Sequence, residues 1–178
     1  LSYSYREIHT YNIYWAVRSK NDLKYGPIEY WDTSNVDNMM NLFKYEKDFN
    51  KDISRWDVSN VTIMFKIFKE TRSFNQPIGK WNVSSVTDMS KMFKGSMEFN
   101  QPLEDWDVSS VTDMKEMFEY AFAFNQPIGK WDTSYVKDMS GMFFHAAAFN
   151  QPLDNWNISS VYNMEGMFQY TEKFNQPL

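Results

Sequence analysis

Residues 81–105 read WNVSSVTDMSKMFKGSMEFNQPLED, and residues 106–130 read WDVSSVTDMKEMFEYAFAFNQPIGK. Both stretches are copies of one 25-residue unit, which recurs without insertion or deletion as far as the end of the chain. A tryptophan opens each of its six copies, the last of them incomplete: Trp31, Trp56, Trp81, Trp106, Trp131 and Trp156. A fixed period of this length is typical of a solenoid, in which each repeat packs only on its neighbours.

Two periodicities within the unit predict its secondary structure. Trp81 and Val83 alternate with polar residues, which indicates a short strand. Val86, Met89 and Phe93 follow at the spacing of one helix face, which indicates a two-turn helix. A variable five-residue loop and a Phe-Asn-Gln-Pro corner then lead into the next repeat. The predicted fold is therefore an α/β repeat solenoid, a right-handed coil like that of leucine-rich repeats, with one short parallel strand and one short helix per repeat.

The repeats divide the chain into two predicted parts. Residues 1–30 form an N-terminal helical cap and lead-in turn, and residues 31–178 form the six repeats. The cap helix is expected from Tyr5 to about Lys20, with residues 4–7 resembling a capping box. Three residues at helical spacing mark its apolar face: Ile8, Tyr11 and Trp15. We expect this helix to cover the open end of the first repeat, as solenoids require for solubility.

Composition excludes several classes of function. The net charge is −5 and no cluster of Lys and Arg occurs along the sequence, which argues against binding to nucleic acid. The absence of cysteine removes disulfides and thiolate chemistry. No apolar stretch approaches the ~18 residues of a membrane span, so no transmembrane segment is expected. Because the chain starts on Leu1 and stops within a repeat, we expect it to be a segment of a longer protein.

The repeat resembles that of a known family. Residues 74–81 read FNQPIGKW, and residues 84–93 follow the pattern S-x-V-x-D-M-x-x-M-F. Together they resemble the BspA-like leucine-rich-repeat surface proteins, and residues 25–34 resemble the segment that leads into the first repeat of eukaryotic and viral members. Lys51-Asp52 and Ile63 depart locally from the pattern. The resemblance implies an adhesive or assembly role and a cell-surface, secreted or virion-associated location, and it supplies no catalytic residue.

Catalytic, metal and cofactor sites are not predicted. His9 and His145 are the two histidines, and the recurrent serines are explained by backbone capping, so no catalytic triad can be built. A column of Asp and Asn at the second repeat position suggests either a cation ladder or a series of Asx turns: Asp32, Asp57, Asn82, Asp107, Asp132 and Asn157. The recurrent asparagine of the corner, from Asn50 to Asn175, is expected to bond loop backbone between repeats. The sequons at Asn60, Asn82 and Asn157 are potential glycosylation sites, a weak signal because the repeat itself generates such triplets.

Function is expected where the repeats differ, which is mainly in the five-residue loop. This loop is charged in repeats one and two and becomes apolar in repeats three to five. An apolar patch rimmed by charge predicts a contact surface, although these side chains could instead pack inward as extra core. The candidate partner-binding residues are Met97, Tyr120, Phe122, Phe144, His145 and Tyr170. A second choice is the strand face, with Arg55, Lys80, Glu104, Asp105 and Lys130.

Three classes of function were weighed against these residues. The sequence favours a non-enzymatic protein–protein interaction or adhesion module with a protein partner. The alternative is a structural or assembly component of a large particle or cell coat, such as a virion or surface layer. Carbohydrate binding ranks below both, because the sequence suggests no regular row of exposed aromatic residues.

Overall fold

The computed structural model describes residues 10–19 and 25–177. Helix α1 spans Thr10–Ser19, and a 3-10 helix spans Ile28–Tyr30. From residue 31 to residue 177 the chain consists of turns and single-residue parallel bridges. The bridges join equivalent residues of successive repeats: Asn38 with Ile63, Ile63 with Asp88, Asp88 with Asp113, Asp113 with Asp138, and Asp138 with Asn163.

Aromatic side chains of neighbouring repeats lie in register and fill the core. Within repeat three, the rings of Phe93 and Phe99 stack with their centroids 4.0 Å apart. Phe93 also stacks on Phe68 of the preceding repeat at 5.6 Å and on Phe118 of the following repeat at 5.5 Å. All four of these rings are fully buried. Burial of each ring contributes about 1.5–3 kcal/mol of transfer free energy. Because these rings pack on rings of neighbouring repeats, contacts between repeats stabilise the stack.

The tryptophan that opens each repeat is hydrogen-bonded, and those of the first five repeats are buried. The indole Nε1 of Trp106 donates to the carbonyl of Ile78 at 3.2 Å, and that of Trp131 donates to Leu103 at 3.0 Å. The same bond, 28 residues long in sequence, recurs for Trp56, Trp81 and Trp156. Each of these five tryptophans therefore satisfies a carbonyl 28 residues earlier, just before the tryptophan of the preceding repeat, while its ring packs against the core.

The backbone within the repeat differs from the predicted strand and helix. Residues 81–83 form no strand, and residues 90–95 form consecutive turns rather than a helix. The amides of Met89, Lys91 and Phe93 donate to carbonyls of the next repeat at 2.8–3.0 Å. Those amides would have to bond residues four positions earlier in an α-helix, so bonding between repeats replaces the helix. The apolar spacing correctly marked the inward-facing side chains, but successive turns produce it here.

A left-handed residue at two fixed positions explains why no helix forms. The eleventh residue of every repeat has a positive φ of 53–63°: Asn41, Lys66, Lys91, Glu116, Gly141 and Gly166. The fifteenth residue has a φ of 55–72°: Tyr45, Glu70, Gly95, Tyr120, His145 and Tyr170. A right-handed helix requires φ near −63°, so these residues end each helical turn as soon as it begins.

Helix α1 packs against the core of the repeats through an apolar face that differs from the predicted one, and the cap of residues 1–30 stays a prediction. Ile13, Ala16 and Val17 are buried, whereas Trp15 is 64% exposed. Arg18 anchors the helix, donating to the carbonyl of Lys44 at 3.4 Å. The predicted face was therefore wrong at Trp15. Ile8, the capping box and Lys20 lie outside the described residues, and the side chain of Tyr11 is not described.

Polar columns run beside the aromatic core. In all six repeats, the Asp or Asn after the tryptophan accepts the amide of the serine two residues later, as Asp107 does from Ser109 at 3.1 Å. This confirms the Asx turn. At the corner, Asn100 Oδ1 accepts the Asn125 amide and Gln126 Nε2, both at 2.9 Å. The predicted bonding between repeats is thus confirmed, with half-exposed asparagines.

These contacts at a constant 25-residue offset describe a linear stack of repeats. We infer a repeat solenoid from that register, and its right-handed, leucine-rich-repeat-like class stays a prediction. No helix among residues 10–19 and 25–177 is long and apolar enough to cross a membrane.

Candidate functional site

Five of the six first-choice residues lie together on the surface of repeats four to six. His145 stacks between two tyrosines, with its ring 4.9 Å from that of Tyr120 and 4.5 Å from that of Tyr170. Phe144 meets both tyrosines edge-on, at 5.7 and 5.6 Å. Phe122 meets Tyr120 edge-on at 6.0 Å. We call these five residues the aromatic patch.

The repeat backbone positions the patch by dividing the variable loop into inward and outward residues. Ala121 and Ala146 point into the core and are fully buried, whereas Phe122 is 40% and Tyr170 58% exposed. At the position of these alanines, Thr71, Ser96 and Thr171 donate their hydroxyls to a carbonyl of the preceding repeat, 28 residues earlier. Only the small residue of the loop therefore joins the core, and the large aromatic residues beside it stay on the surface.

Met97 lies at the edge of the patch rather than within it. Its carbonyl accepts the amide of Ala123 at 3.1 Å, which places it one repeat before Phe122 in the same column. The column of Tyr120, His145 and Tyr170 is a regular aromatic row, which the sequence had not suggested. The three rings stack face to face, so the faces between them are covered. A sugar ring, which would pack on an open aromatic face, cannot reach them.

The second-choice residues occupy a corner and not a strand face. Arg55, Lys80, Asp105 and Lys130 lie in or beside turns, and no strand forms at this position. Lys80 pairs with Asp105 at 3.7 Å, and Lys130 pairs with Glu104 at 3.9 Å. The Lys80 and Asp105 side chains are 87% and 71% exposed, so their pairing contributes little. The strand-face prediction was wrong because the chain turns here.

A polar groove of about 340 Å³ borders the aromatic patch at Phe144. The groove opens where Gly141 and Gly166 replace the longer side chains that earlier repeats carry at the eleventh position. Glu116 and Glu119 line its side nearest repeat three. The patch therefore has an apolar centre with a charged depression along one edge, an arrangement typical of an interface core and its rim.

Lys94 joins the two carboxylates of this groove. Its Nζ lies 2.7 Å from Glu116 and 2.6 Å from Glu119. Burial opposes ionisation of Glu116, but hydrogen bonds from Glu119 and Lys94 and the charges of Lys94 and Lys91 outweigh it and lower its pKa to about 2. Burial, followed by the hydrogen bond with Glu116, raises the pKa of Glu119. Glu116 thus carries the negative charge that balances Lys94, and Glu119 is the carboxyl that takes up a proton first.

No metal-binding arrangement accompanies these groups. Among residues 10–19 and 25–177, no three His, Asp or Glu side chains are placed to hold a metal ion. Of the three sequons, Asn60 uses its amide to donate to the Ser34 carbonyl at 2.8 Å. Asn82 and Asn157 are exposed and serve as Asx-turn acceptors. Glycosylation at these positions stays a prediction.

The repeat that builds this surface matches a known family. A family model described as "Mycoplasma protein of unknown function, DUF285" matches residues 11–121 and again residues 101–178. The chain belongs to this family. The two matches together extend from α1 through all six repeats, so the family assignment applies to the whole stack. Searches for a similar curated protein and for a similar solved structure found no match.

Sequence reasoning missed a group of lysines on the same side of the stack. Lys44 and Lys69 lie over the ring of Tyr45, with Nζ 4.8 and 5.7 Å from its centroid. Lys66 lies over Phe65 at 4.2 Å. These lysines are spread through the sequence and become neighbours only because they occupy the eleventh and fourteenth repeat positions. Aligning the repeats by those two positions would have found them.

Proposed function

We propose that this chain is a non-enzymatic protein-binding or adhesion module whose docking surface is the aromatic patch. The observation that carries the proposal is the cluster of mutually contacting aromatic side chains at the surface of repeats four to six. Repeats one to three have Tyr45, Glu70 and Gly95 at the fifteenth position and form no such cluster. Aromatic residues are enriched at the centres of protein interfaces because they bury large areas with few rotatable bonds.

The burial of the loop alanines supports docking over a packing role. Ala121 and Ala146 already fill the core beneath the patch, so the rings of Phe122 and Tyr170 are not needed there. The rings are also fixed by stacking on one another, which reduces the entropy lost when a partner covers them. The resemblance to BspA-like surface proteins supports the same role and favours a cell-surface, secreted or virion-associated location.

The proposal is tested by Phe122→Asp/Phe144→Asp in the full-length protein, expressed with an epitope tag in its source cells. The matched control is Tyr135→Asp/Tyr162→Asp, because those tyrosines are 66% and 77% exposed outside the patch. We expect the patch variant to lose the co-purified partner and the control to retain it, with both unfolding at close to the wild-type temperature. Unfolding of the patch variant alone would assign these rings to the core, and equal partner retention would remove them from the interface.

A further inference from the structure

Four lysines of repeats one to three form a second feature on the side of the stack that carries the aromatic patch. Lys44, Lys66, Lys69 and Lys91 occupy the eleventh and fourteenth repeat positions, the same columns that hold Phe144 and line the groove in later repeats. We call these four residues the lysine patch. It lies along the stack from the aromatic patch, with Lys94 and its two glutamates between them.

Backbone hydrogen bonds between repeats hold together the turns that carry these lysines. The Tyr45 amide donates to the Lys69 carbonyl at 2.8 Å, and the Lys91 amide donates to the Lys115 carbonyl at 2.8 Å. Lys66 and Lys91 are held at positive φ, and both are half-buried. Tyr45 lies between the ammonium groups of Lys44 and Lys69. The cations are therefore gathered by the repeat geometry, at a cost in mutual repulsion.

The surrounding carboxylates do not neutralise the patch. Among the described residues, no carboxylate lies within 4.0 Å of the amino group of Lys44, Lys66 or Lys69, and only Lys91 has an ion pair, with Glu116 at 3.4 Å. Two acidic loop residues of repeats one and two pair with arginines: Glu46 with Arg18, and Glu70 with Arg72, each at 3.7 Å.

The mutual repulsion is reflected in the titration of one lysine. Burial, followed by the positive charges of Lys44, Lys91 and Lys69, lowers the pKa of Lys66, against the opposing charge of Glu116. An anionic ligand placed over the patch would remove this repulsion.

We propose that the lysine patch receives an acidic polypeptide segment of the same protein partner that docks on the aromatic patch. This inference rests on the proposed function and adds the chemistry of the partner: carboxylates over repeats one to three and an apolar anchor over repeats four to six. The net charge of −5 over the whole chain disfavours long polyanions and anionic membranes, which sense the overall field, whereas a short acidic segment senses the local patch.

The test uses two fluorescein-labelled peptides and the complete chain. One peptide joins six glutamates to a Leu-Phe-Leu anchor, and the other replaces the glutamates with glutamines. Fluorescence anisotropy gives the dissociation constants over a range of NaCl concentrations. The patch variant is Lys66→Gln/Lys69→Gln, and Lys80→Gln/Lys130→Gln makes the same change in net charge at the exposed corner.

We expect the glutamate peptide to bind the wild type about tenfold more tightly than the glutamine peptide, with an affinity that falls as salt rises. The patch variant should lose most of that difference, and the corner variant should keep it. Equal binding of both peptides, equal loss in both variants, or binding to phosphatidylserine vesicles without binding to the peptide would each overturn the proposal. The variant Phe122→Asp/Phe144→Asp distinguishes this proposal from the proposed function. If this variant still binds the glutamate peptide in a salt-sensitive way, the lysine patch is supported and the aromatic anchor is rejected.

Discussion

The imidazole of His145 stacks on the phenol ring of Tyr170, with centroids 4.5 Å apart and planes inclined by 23°. The two residues are equivalent in successive repeats, and both have a positive φ of 55–60°. The same left-handed turn that prevents a helix therefore places side chains of successive repeats one above another on the surface. A feature of the backbone thus creates the row on which the aromatic patch is built.

If the patch is a surface and not core, its removal should cost little stability. We expect Tyr170→Ala to lower the free energy of unfolding by less than about 1 kcal/mol, and Phe143→Ala, which removes a fully buried ring, to lower it by about 3–5 kcal/mol. Urea unfolding followed by tryptophan fluorescence measures both. Similar losses in the two variants would place Tyr170 within the core.

Replacing Asp113 with asparagine should stabilise the protein at neutral pH. Burial, together with the charges of Asp88 and Asp138, raises the pKa of Asp113 against the opposing amide of Lys115. The folded state then binds the proton more tightly than the unfolded chain, so the penalty applies above the folded pKa and fades on acidification. Asn38 and Asn163 accept the equivalent amides at 2.8 and 3.1 Å, so asparagine preserves the turn.

Denaturant unfolding of Asp113→Asn and the wild type at several pH values checks this expectation. The gain should be about 0.5 kcal/mol near neutrality, should shrink as the pH falls through the raised pKa of folded Asp113, and should vanish below the ordinary carboxyl pKa of about 4. A gain that is constant with pH would show that the charge of Asp113 is not its cause.

Replacing Lys66 with glycine should stabilise the protein, whereas replacing it with alanine should not. Its φ of 58° lies in the left-handed region, which disfavours residues with a Cβ by about 1 kcal/mol, and Gly141 and Gly166 already occupy the equivalent positions. Both substitutions remove the same charge, so the difference between Lys66→Gly and Lys66→Ala isolates the backbone. We expect the glycine variant to melt at the higher temperature in calorimetry, and the reverse order would contradict this backbone assignment.

The corner asparagine should stabilise the stack only through its side-chain oxygen, which accepts hydrogen bonds. Asn100 Oδ1 accepts two hydrogen bonds from the next repeat, which Asp can also accept and Ala cannot. Asn100→Ala should therefore cost about 1–3 kcal/mol of unfolding free energy, and Asn100→Asp less than half of that at neutral pH. Equal losses would mean that the amide nitrogen has a role as well.

The sequence predicted the repeat boundaries and the inward-facing residues, because packing selects the recurrent Trp, Phe, Val and Met directly. The sequence wrongly predicted a helix around Lys91. A lysine gives no indication of a positive φ, and the apolar residues between 86 and 93 have the spacing of a helix face. The aromatic patch could be located because the repeats differ there. The lysine patch was missed because Lys44 and Lys66 belong to different repeats, and their proximity becomes evident only when the repeats are aligned and stacked.

The central claim is that a protein partner covers Phe122 and its neighbours. Its most direct test is photo-crosslinking in source cells, with benzoylphenylalanine placed at Phe122 or, as a control, at the exposed Tyr135. We expect benzoylphenylalanine at position 122 to give one discrete crosslinked polypeptide. The probe at position 135 should not crosslink to that polypeptide. The same crosslinks from both positions, or none from position 122, would contradict a docking role for the aromatic patch.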